Sequence, residues 1–309
     1  QSFSLPTKLS TFLKCENLQP PGSYKLRGMS FKAINAVHER GVSRFVASSG
    51  GNAGLAVAYA ASQLSIPCRV FVPSTTPASA RSLIESYGAE CVVEGDVYSE
   101  ADALARREGE EDGVEYFSAY DDPELWEGHA SVISEIKEQL PSGSPKPRAI
   151  ILSVGGGGLL CGVVEGLHKV GWEDVPVVAM ETELANCFAR AQEAGKIVEM
   201  RPGGIAKSLG ASRAAEQTMV WNEKHDIRSV VISDQSAVMG CDEFQKKHRM
   251  LVEPACGASV ATMFDSSLLE RSGISMDEEG GGGPVVVVVC GGAMIDCDVL
   301  KNYKKEVGL

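Results

Sequence analysis

The chain contains no CxxC pair, and its nine cysteines, at positions 15, 68, 91, 161, 187, 241, 256, 290 and 297, are an odd number scattered along it. That excludes zinc-finger spacing and a disulfide framework, and it reads as reduced, buried thiols in a reducing compartment. Positive charge is also short, with 29 Lys and Arg against 41 Asp and Glu, net −12. Such a balance argues against a nucleic-acid partner, which needs a basic surface. The longest apolar run, Val285 to Cys290, is far too short to span a bilayer. The start, Gln1-Ser2-Phe3-Ser4-Leu5-Pro6, has no charged head before a hydrophobic core. A soluble cytoplasmic enzyme without nucleic-acid or membrane partners is the expectation.

What is present is apolar content of 44% over 309 residues, enough for two ordinary domains without staples. Short β-branched runs alternate with helical patterns. The runs are Arg44 to Ala47, Cys68 to Val72, Cys91 to Val93, Ala149 to Val154, Val175 to Met180, Val230 to Ile232 and Pro284 to Cys290. Helical stretches include Ala53 to Gln63, Ser79 to Tyr87, Gly158 to Val170 and Gly257 to Leu269. Continuous apolar strands separated by helices predict an α/β fold with open, mostly parallel sheets covered on both faces. The rhythm restarts after Pro141-Ser142-Gly143-Ser144-Pro145-Lys146-Pro147, which reads as a linker between a smaller and a larger layer. Asp277-Glu278-Glu279 with Gly280 to Gly283 reads as a flexible surface loop.

Three loops carry the chemistry. Gly155-Gly156-Gly157-Gly158 lies between a strand and a helix, where glycine lets several backbone N–H groups approach an anion at a helix N-terminus. Phosphate is the natural ligand. A dinucleotide site competes, because Gly156-x-Gly158-x-x-x-Gly162 approximates its fingerprint and Glu181 stands near the distance expected for a ribose-binding acid. Cys161, however, occupies the third glycine's place. Ser48-Ser49-Gly50-Gly51-Asn52-Ala53-Gly54 is a second strand-to-helix turn, with N–H groups, a hydroxyl and an amide suited to a carboxylate. Lys25, in Pro21-Gly22-Ser23-Tyr24-Lys25-Leu26-Arg27-Gly28, adds an amine able to form an imine with an aldehyde cofactor and later act as a base. Taken alone, Lys25 is a surface charge, Cys290 a core cysteine and His129 a packed histidine. The three loops together suggest a covalently held, phosphorylated cofactor.

These loops, with Trp126-Glu127-Gly128-His129-Ala130-Ser131, Ala179-Met180-Glu181-Thr182, Leu251-Val252-Glu253-Pro254-Ala255-Cys256-Gly257-Ala258 and Val289-Cys290-Gly291-Gly292, occur in an order that covers nearly the whole chain. In this the chain closely resembles the catabolic L-serine/L-threonine dehydratases, pyridoxal-phosphate enzymes of the tryptophan-synthase-β fold (fold type II). The resemblance implies a large domain of residues 1–31 plus 136–309 and a small domain of residues 32–135. It implies Lys25 as the cofactor-linking lysine and α-proton base, with Tyr24 on one face of the pyridine ring and Ser208 near the other. Gly155, Gly156, Gly157, Gly158 and Leu159 would hold the phosphate, Asn52 the ring hydroxyl, and Cys290 would face the ring nitrogen. Ser49, Gly50, Asn52 and Ala53 would hold the substrate carboxylate. A monovalent cation, usually potassium, would sit at Gly155, Glu181, Ala185, Cys187, Leu209 and Ala211, although a thiol at Cys187 is a poor ligand for a hard cation.

The implied reaction is β-elimination of water from L-serine, followed by hydrolysis of the released aminoacrylate to pyruvate and ammonia, or the same sequence from L-threonine to 2-oxobutanoate and ammonia, in a homodimer. A neutral thiol at Cys290 would weaken the ring as an electron sink and favour prompt elimination. A racemase, another β-elimination or replacement enzyme, a non-catalytic binder of the cofactor and a nicotinamide-nucleotide enzyme stay open as alternatives. Gly50, where some relatives have Ala, is expected to loosen the carboxylate loop. A family-typical N-terminal stretch with a Thr-Pro pair is missing, which suggests a trimmed start.

Overall fold

The computed structural model describes residues 2–4, 10–274 and 282–309. The acidic glycine run read as a surface loop therefore lies outside the described residues, except for Gly282 and Gly283. Two strands open the chain, β1 (Ser2–Ser4) and β2 (Ser10–Cys15). Next come α1 (Lys25–Arg40), β3 (Arg44–Ala47), α2 (Asn52–Leu64), β4 (Cys68–Val72) and α3 (Ala78–Glu85). β5 (Glu90–Val93), α4 (Tyr98–Glu108), β6 (Val114–Phe117) and α5 (Pro123–Gln139) follow. The remainder runs β7 (Ala149–Ser153), α6 (Gly158–Lys169), β8 (Val177–Thr182), α7 (Cys187–Ala194), α8 (Glu216–Lys224) and β9 (Ile227–Ile232). It ends α9 (Asp234–His248), α10 (Pro254–Val260), α11 (Ser266–Arg271), β10 (Val285–Val289) and α12 (Cys297–Glu306).

The chain separates into two compact units, residues 19–129 and residues 1–18 with 130–309. The smaller holds a parallel four-stranded sheet of order β5-β4-β3-β6. The larger holds six strands in the order β1-β2-β10-β7-β8-β9, all parallel except the β1–β2 pair. This is the α/β architecture of two mostly parallel sheets that the alternation of runs predicts. The unit boundaries differ from those implied by resemblance, 31/32 and 135/136. α1 packs along α2, so all of it goes with the smaller sheet, while α5 is shared, its residues from 130 on lying in the larger unit. The Pro/Ser/Gly segment 141–147 is the connection from α5 to β7, inside the larger unit.

Burial explains the strand composition. Every residue of β7, β8 and β10 is buried, including the five consecutive valines of β10. Strands covered on both faces need no polar alternation. The pattern missed β1, β2 and β6; of these, β2 and β6 each carry a charge whose partner comes from a distant helix. Lys14 of β2 pairs with Glu135, and Glu115 of β6 lies 2.9 Å from Lys32 of α1. The stretch 257–269 read as one helix is broken: a short 3₁₀ turn at Ala261–Met263 intervenes, and the Asp265 carboxylate caps α11 by accepting from Ser267 N–H at 3.0 Å.

Ile151 is fully buried in the middle of β7. Ile151→Ala should cost about 2–5 kcal/mol and Ile151→Val about 1 kcal/mol, read as a fall in the urea midpoint.

Candidate active site

In the smaller unit, parallel pairing of Ala47 with Phe117 sets the residues after β3 beside those after β6. Ser48 to Gly50 and Ser118 to Tyr120 thus share the carboxyl edge of the sheet, where α/β folds bind ligands. Lys25, the first residue of α1, reaches this edge, its amine donating to the Ala119 carbonyl. The amine also lies 5.2 Å from the Tyr24 ring centroid. Lys25, Tyr24 and the Ser49–Ala53 loop therefore belong to one end of one unit.

Behind Lys25, α1 meets α5 at two glycines. A Cβ on Gly28 would come 2.6 Å from His129 Cε1, and one on Gly128 2.7 Å from Gly28 Cα. This close crossing accounts for the Gly128-His129 motif. The Gly28 N–H donates to His129 Nδ1 at 3.1 Å, and the His129 ring packs edge-on to Tyr24 at 5.0 Å. His129 is thus a packed histidine, as its sequence suggests, but one that holds the first turn of the Lys25 helix. Burial, followed by the positive charges of Lys25 and Arg27, holds it well below its usual pKa of 6.5.

In the Ser49–Ala53 loop, Ser49 Oγ accepts from Gly51 N–H at 3.2 Å, and Asn52 and Ala53 are buried at the start of α2. Gly50 abuts Thr76: a Cβ there would lie 2.7 Å from Thr76 Cγ2 and 2.9 Å from Oγ1. The space an alanine methyl would fill is taken, so in this chain glycine is matched to its neighbour.

In the larger unit, β7 runs into Gly155–Gly158 and α6. Gly157 has φ +93°, and a Cβ on it would lie 2.2 Å from Thr218 Cγ2, so both backbone and space demand glycine. The first N–H groups of α6 have no partner within the helix and carry its partial positive charge. A phosphate fits this cradle. The dinucleotide reading loses its acid, because Glu181 is fully buried and accepts from Phe188 N–H at 2.9 Å and Ala189 N–H at 2.7 Å. Burial pushes its carboxyl up to about 8.

Several residues implied for the cation lie together. A Cβ on Gly155 would be 3.0 Å from Leu209 Cα, and the Cys187 thiol donates to the Gly155 carbonyl at 3.3 Å. Burial and then the Glu181 charge push this thiol up to about 12, so it is a neutral donor. Ala211 N–H donates to Leu209 O at 2.8 Å, and Ala185 N–H to Thr182 O at 2.9 Å. Among the described residues, no group of three or more His, Cys, Asp or Glu side chains is placed to hold a metal ion. A cation here would rest mainly on carbonyl oxygens.

Cys290 follows β10 and is buried. A hydrogen bond with Cys256, and then burial, raises its thiol well above the usual 9.0, so it is neutral and fits a weak partner for a ring nitrogen. Sequence reading gave Glu253 no role, yet it ties this region together. Its carboxylate accepts from the Ser208 hydroxyl, and from Met294 N–H at 2.9 Å. A Cβ on Gly292 would lie 2.4 Å from Glu253 Cδ. The available signal was an acid at the start of a helix, just before Pro254.

Two outcomes follow from these contacts. Gly50→Ala should destabilise by about 1 kcal/mol through overpacking, and Thr76→Ala in the same chain should relieve it, both read by thermal melting. For His129 the unfolded chain takes up a proton below about 6.5 and the folded chain does not, so stability is full above that pH and falls as pH drops. His225 and His248 are lowered too, each by burial first, so the loss is shared. His129→Asn should reduce the acid slope by up to about 1.4 kcal/mol per pH unit, measured by urea unfolding at about pH 5 and pH 7.

Known proteins match this arrangement. The human (Homo sapiens) L-serine dehydratase/L-threonine deaminase is 43% identical over 302 residues, spanning 97% of this chain and 90% of the relative. The crystal structure of a fungal L-serine ammonia-lyase from Rhizomucor miehei superposes with a TM-score of 0.87 at 32% identity, covering 99% of this chain and all of that one. Serine racemase from Dictyostelium discoideum superposes at 0.80 over 93% of this chain and 88% of its own, with 22% identity, a likeness of fold alone. The profile described as "Pyridoxal-phosphate dependent enzyme" matches residues 2–291. By the match of that profile and of the human relative along nearly its whole length, the chain belongs to the family of pyridoxal-phosphate dependent enzymes.

Proposed function

We infer that this chain is an L-serine/L-threonine ammonia-lyase, which converts L-serine to pyruvate and ammonia and L-threonine to 2-oxobutanoate and ammonia. The observation that carries it is the likeness to the human dehydratase along nearly the whole chain, with Lys25 and Cys290 both present. Pyridoxal phosphate, when bound, supplies the electron sink that makes the α-proton of an amino acid removable.

The chain's own residues divide the remaining work. Lys25 Nζ would hold the cofactor's aldehyde carbon, and its free amine is the group that would take the substrate α-proton. The N–H groups of Gly155–Leu159, at the start of α6, would hold the phosphate. By family resemblance, Tyr24 and Ser208 would flank the ring, and Asn52 would meet its hydroxyl. Ser49, Gly50, Asn52 and Ala53 hold the substrate carboxylate, which orients the α-proton toward Lys25. By the same resemblance the Cys290 thiol would face the ring nitrogen; being neutral, it would give that nitrogen no charged partner, which would favour loss of the β-hydroxyl over return of the proton to the other face. A racemase would need that return.

Potassium, at the carbonyls of Gly155, Ala185, Leu209 and Ala211 with the carboxylate of Glu181, is part of the proposal. Cys187 would have to give up its hydrogen bond to Gly155 to act as a ligand. A homodimer in a reducing, cytoplasmic setting is also proposed. Family resemblance supports the dimer, and nine free thiols support the setting.

Purified protein loaded with pyridoxal phosphate should release pyruvate from L-serine, faster with potassium than with sodium. Lys25→Ala should lose the visible absorbance of the lysine-bound cofactor and about 10³-fold or more of turnover. Formation of D-serine in place of pyruvate would point to the racemase; cofactor binding without turnover would point to a non-catalytic binder.

A further inference from the structure

Ser48 joins β3 to the carboxylate loop and is 1% exposed, but the proposed reaction gives it no part. Its hydroxyl donates to Asp102 Oδ1 at 2.5 Å. The same oxygen accepts from the Tyr116 hydroxyl at 2.5 Å and from the Tyr98 hydroxyl at 3.5 Å, while Ser48 Oγ lies 3.3 Å from Tyr98. Asp102 Oδ2 accepts from Arg106 Nε at 2.7 Å, and the Arg106 guanidinium covers the Tyr116 ring at 4.6 Å. Tyr98, Asp102 and Arg106 are spaced four residues apart on α4, so they share one face. The buried side of that helix, Ala101 and Ala105, packs on Val46 of β3 and Phe71 of β4. The carboxylate is thereby seated beside the exit of β3.

Burial pushes the Asp102 carboxyl up, but hydrogen bonds from Ser48, Tyr116 and Arg106 outweigh it and leave it below the usual range. It is therefore a carboxylate at neutral pH, and it can only accept. The Ser48 proton must point at Asp102, which locks the serine side chain at the first residue of the loop. A loop that binds an anion with backbone N–H groups works only when those groups are already aimed.

We propose that Asp102 is a positioning residue for substrate binding, aiming the carboxylate loop through the Ser48 hydroxyl. This rests on reading Ser49 to Ala53 as the loop that holds the substrate carboxylate.

Steady-state kinetics of the holoenzyme on L-serine test it, with Asp102→Asn, Ser48→Ala, their combination, and Ser49→Ala/Asn52→Ala as a reference for the loop. Asp102→Asn and Ser48→Ala should each raise KM about ten-fold, with kcat changed less than about three-fold and the cofactor absorbance intact. The combined variant should be no worse than either, because both break one linkage. Additive effects in the combined variant, or equal falls in kcat and cofactor content, would overturn the proposal and mark Asp102 as a general stabiliser. KM within two-fold of wild type in Asp102→Asn, with a raised KM in the reference, overturns the proposal and keeps the loop reading. An unchanged KM in the reference as well overturns both. Ser48→Ala leaves the Asp102–Arg106 pair in place, so it decides the question if Asp102→Asn does not fold.

Discussion

Parallel pairing of buried strands is the constraint on which the rest depends. A parallel strand must be re-entered from the same end, so each one is followed by a loop and a crossover helix. All the loops that leave the sheet therefore share its carboxyl edge. In the smaller unit the pairing of Ala47 with Phe117 puts Ser48 beside the segment that receives the Lys25 amine. In the larger unit Ser153 pairs with Met180, so the glycine loop after β7 and Glu181 at the end of β8 leave one edge together. Chemistry-bearing residues far apart in sequence meet because strand register leaves them no other place.

That edge has to be held still, and each unit does so with buried or half-buried polar groups that accept hydrogen bonds from other segments. His129 accepts from Gly28 under the Lys25 helix; Glu253 accepts from Ser208 and Met294 near Cys290; Asp102 accepts from Ser48 at the exit of β3. Each anchors a segment of the proposed site from behind. A buried carboxylate or imidazole is costly unless its partners are in place, so these contacts fix geometry as well as adding stability. The glycines act in the complementary way. Gly28, Gly128 and Gly157 stand where a side chain would strike a neighbour, so the helices and the cradle can approach closely.

Much of this was legible in the residues alone. The runs Ala149 to Val154 and Pro284 to Cys290 contain β7 and β10, because a strand buried on both faces needs only apolar residues. The tetraglycine run between a strand and a helix reads directly as an anion cradle. β2 and β6 were not legible, because Lys14 and Glu115 break the apolar pattern and are neutralised by partners on helices that only folding brings near. The break at Asp265 has a local signal, since Asp265-Ser266-Ser267 is an N-cap pattern that interrupts the apolar stretch. The roles of His129 and Asp102 have no local signal, and that of Glu253 shows only as an acid before a helix-opening proline, since each is defined by a hydrogen bond across tens of residues or more.

The sequence by itself determined the α/β class, the three glycine-bearing or lysine-bearing loops and the likeness to a pyridoxal-phosphate family. Those depend on short-range pattern: period, turn residues and the order of motifs. Tertiary structure alone decided that Glu181 is buried against α7 and closed to a ribose, that the Cys290 thiol is neutral beside Cys256, and that Gly50 faces Thr76. Burial and partner distance set a side chain's charge state and the room around it, and neither exists until strand register and helix packing have brought distant residues together.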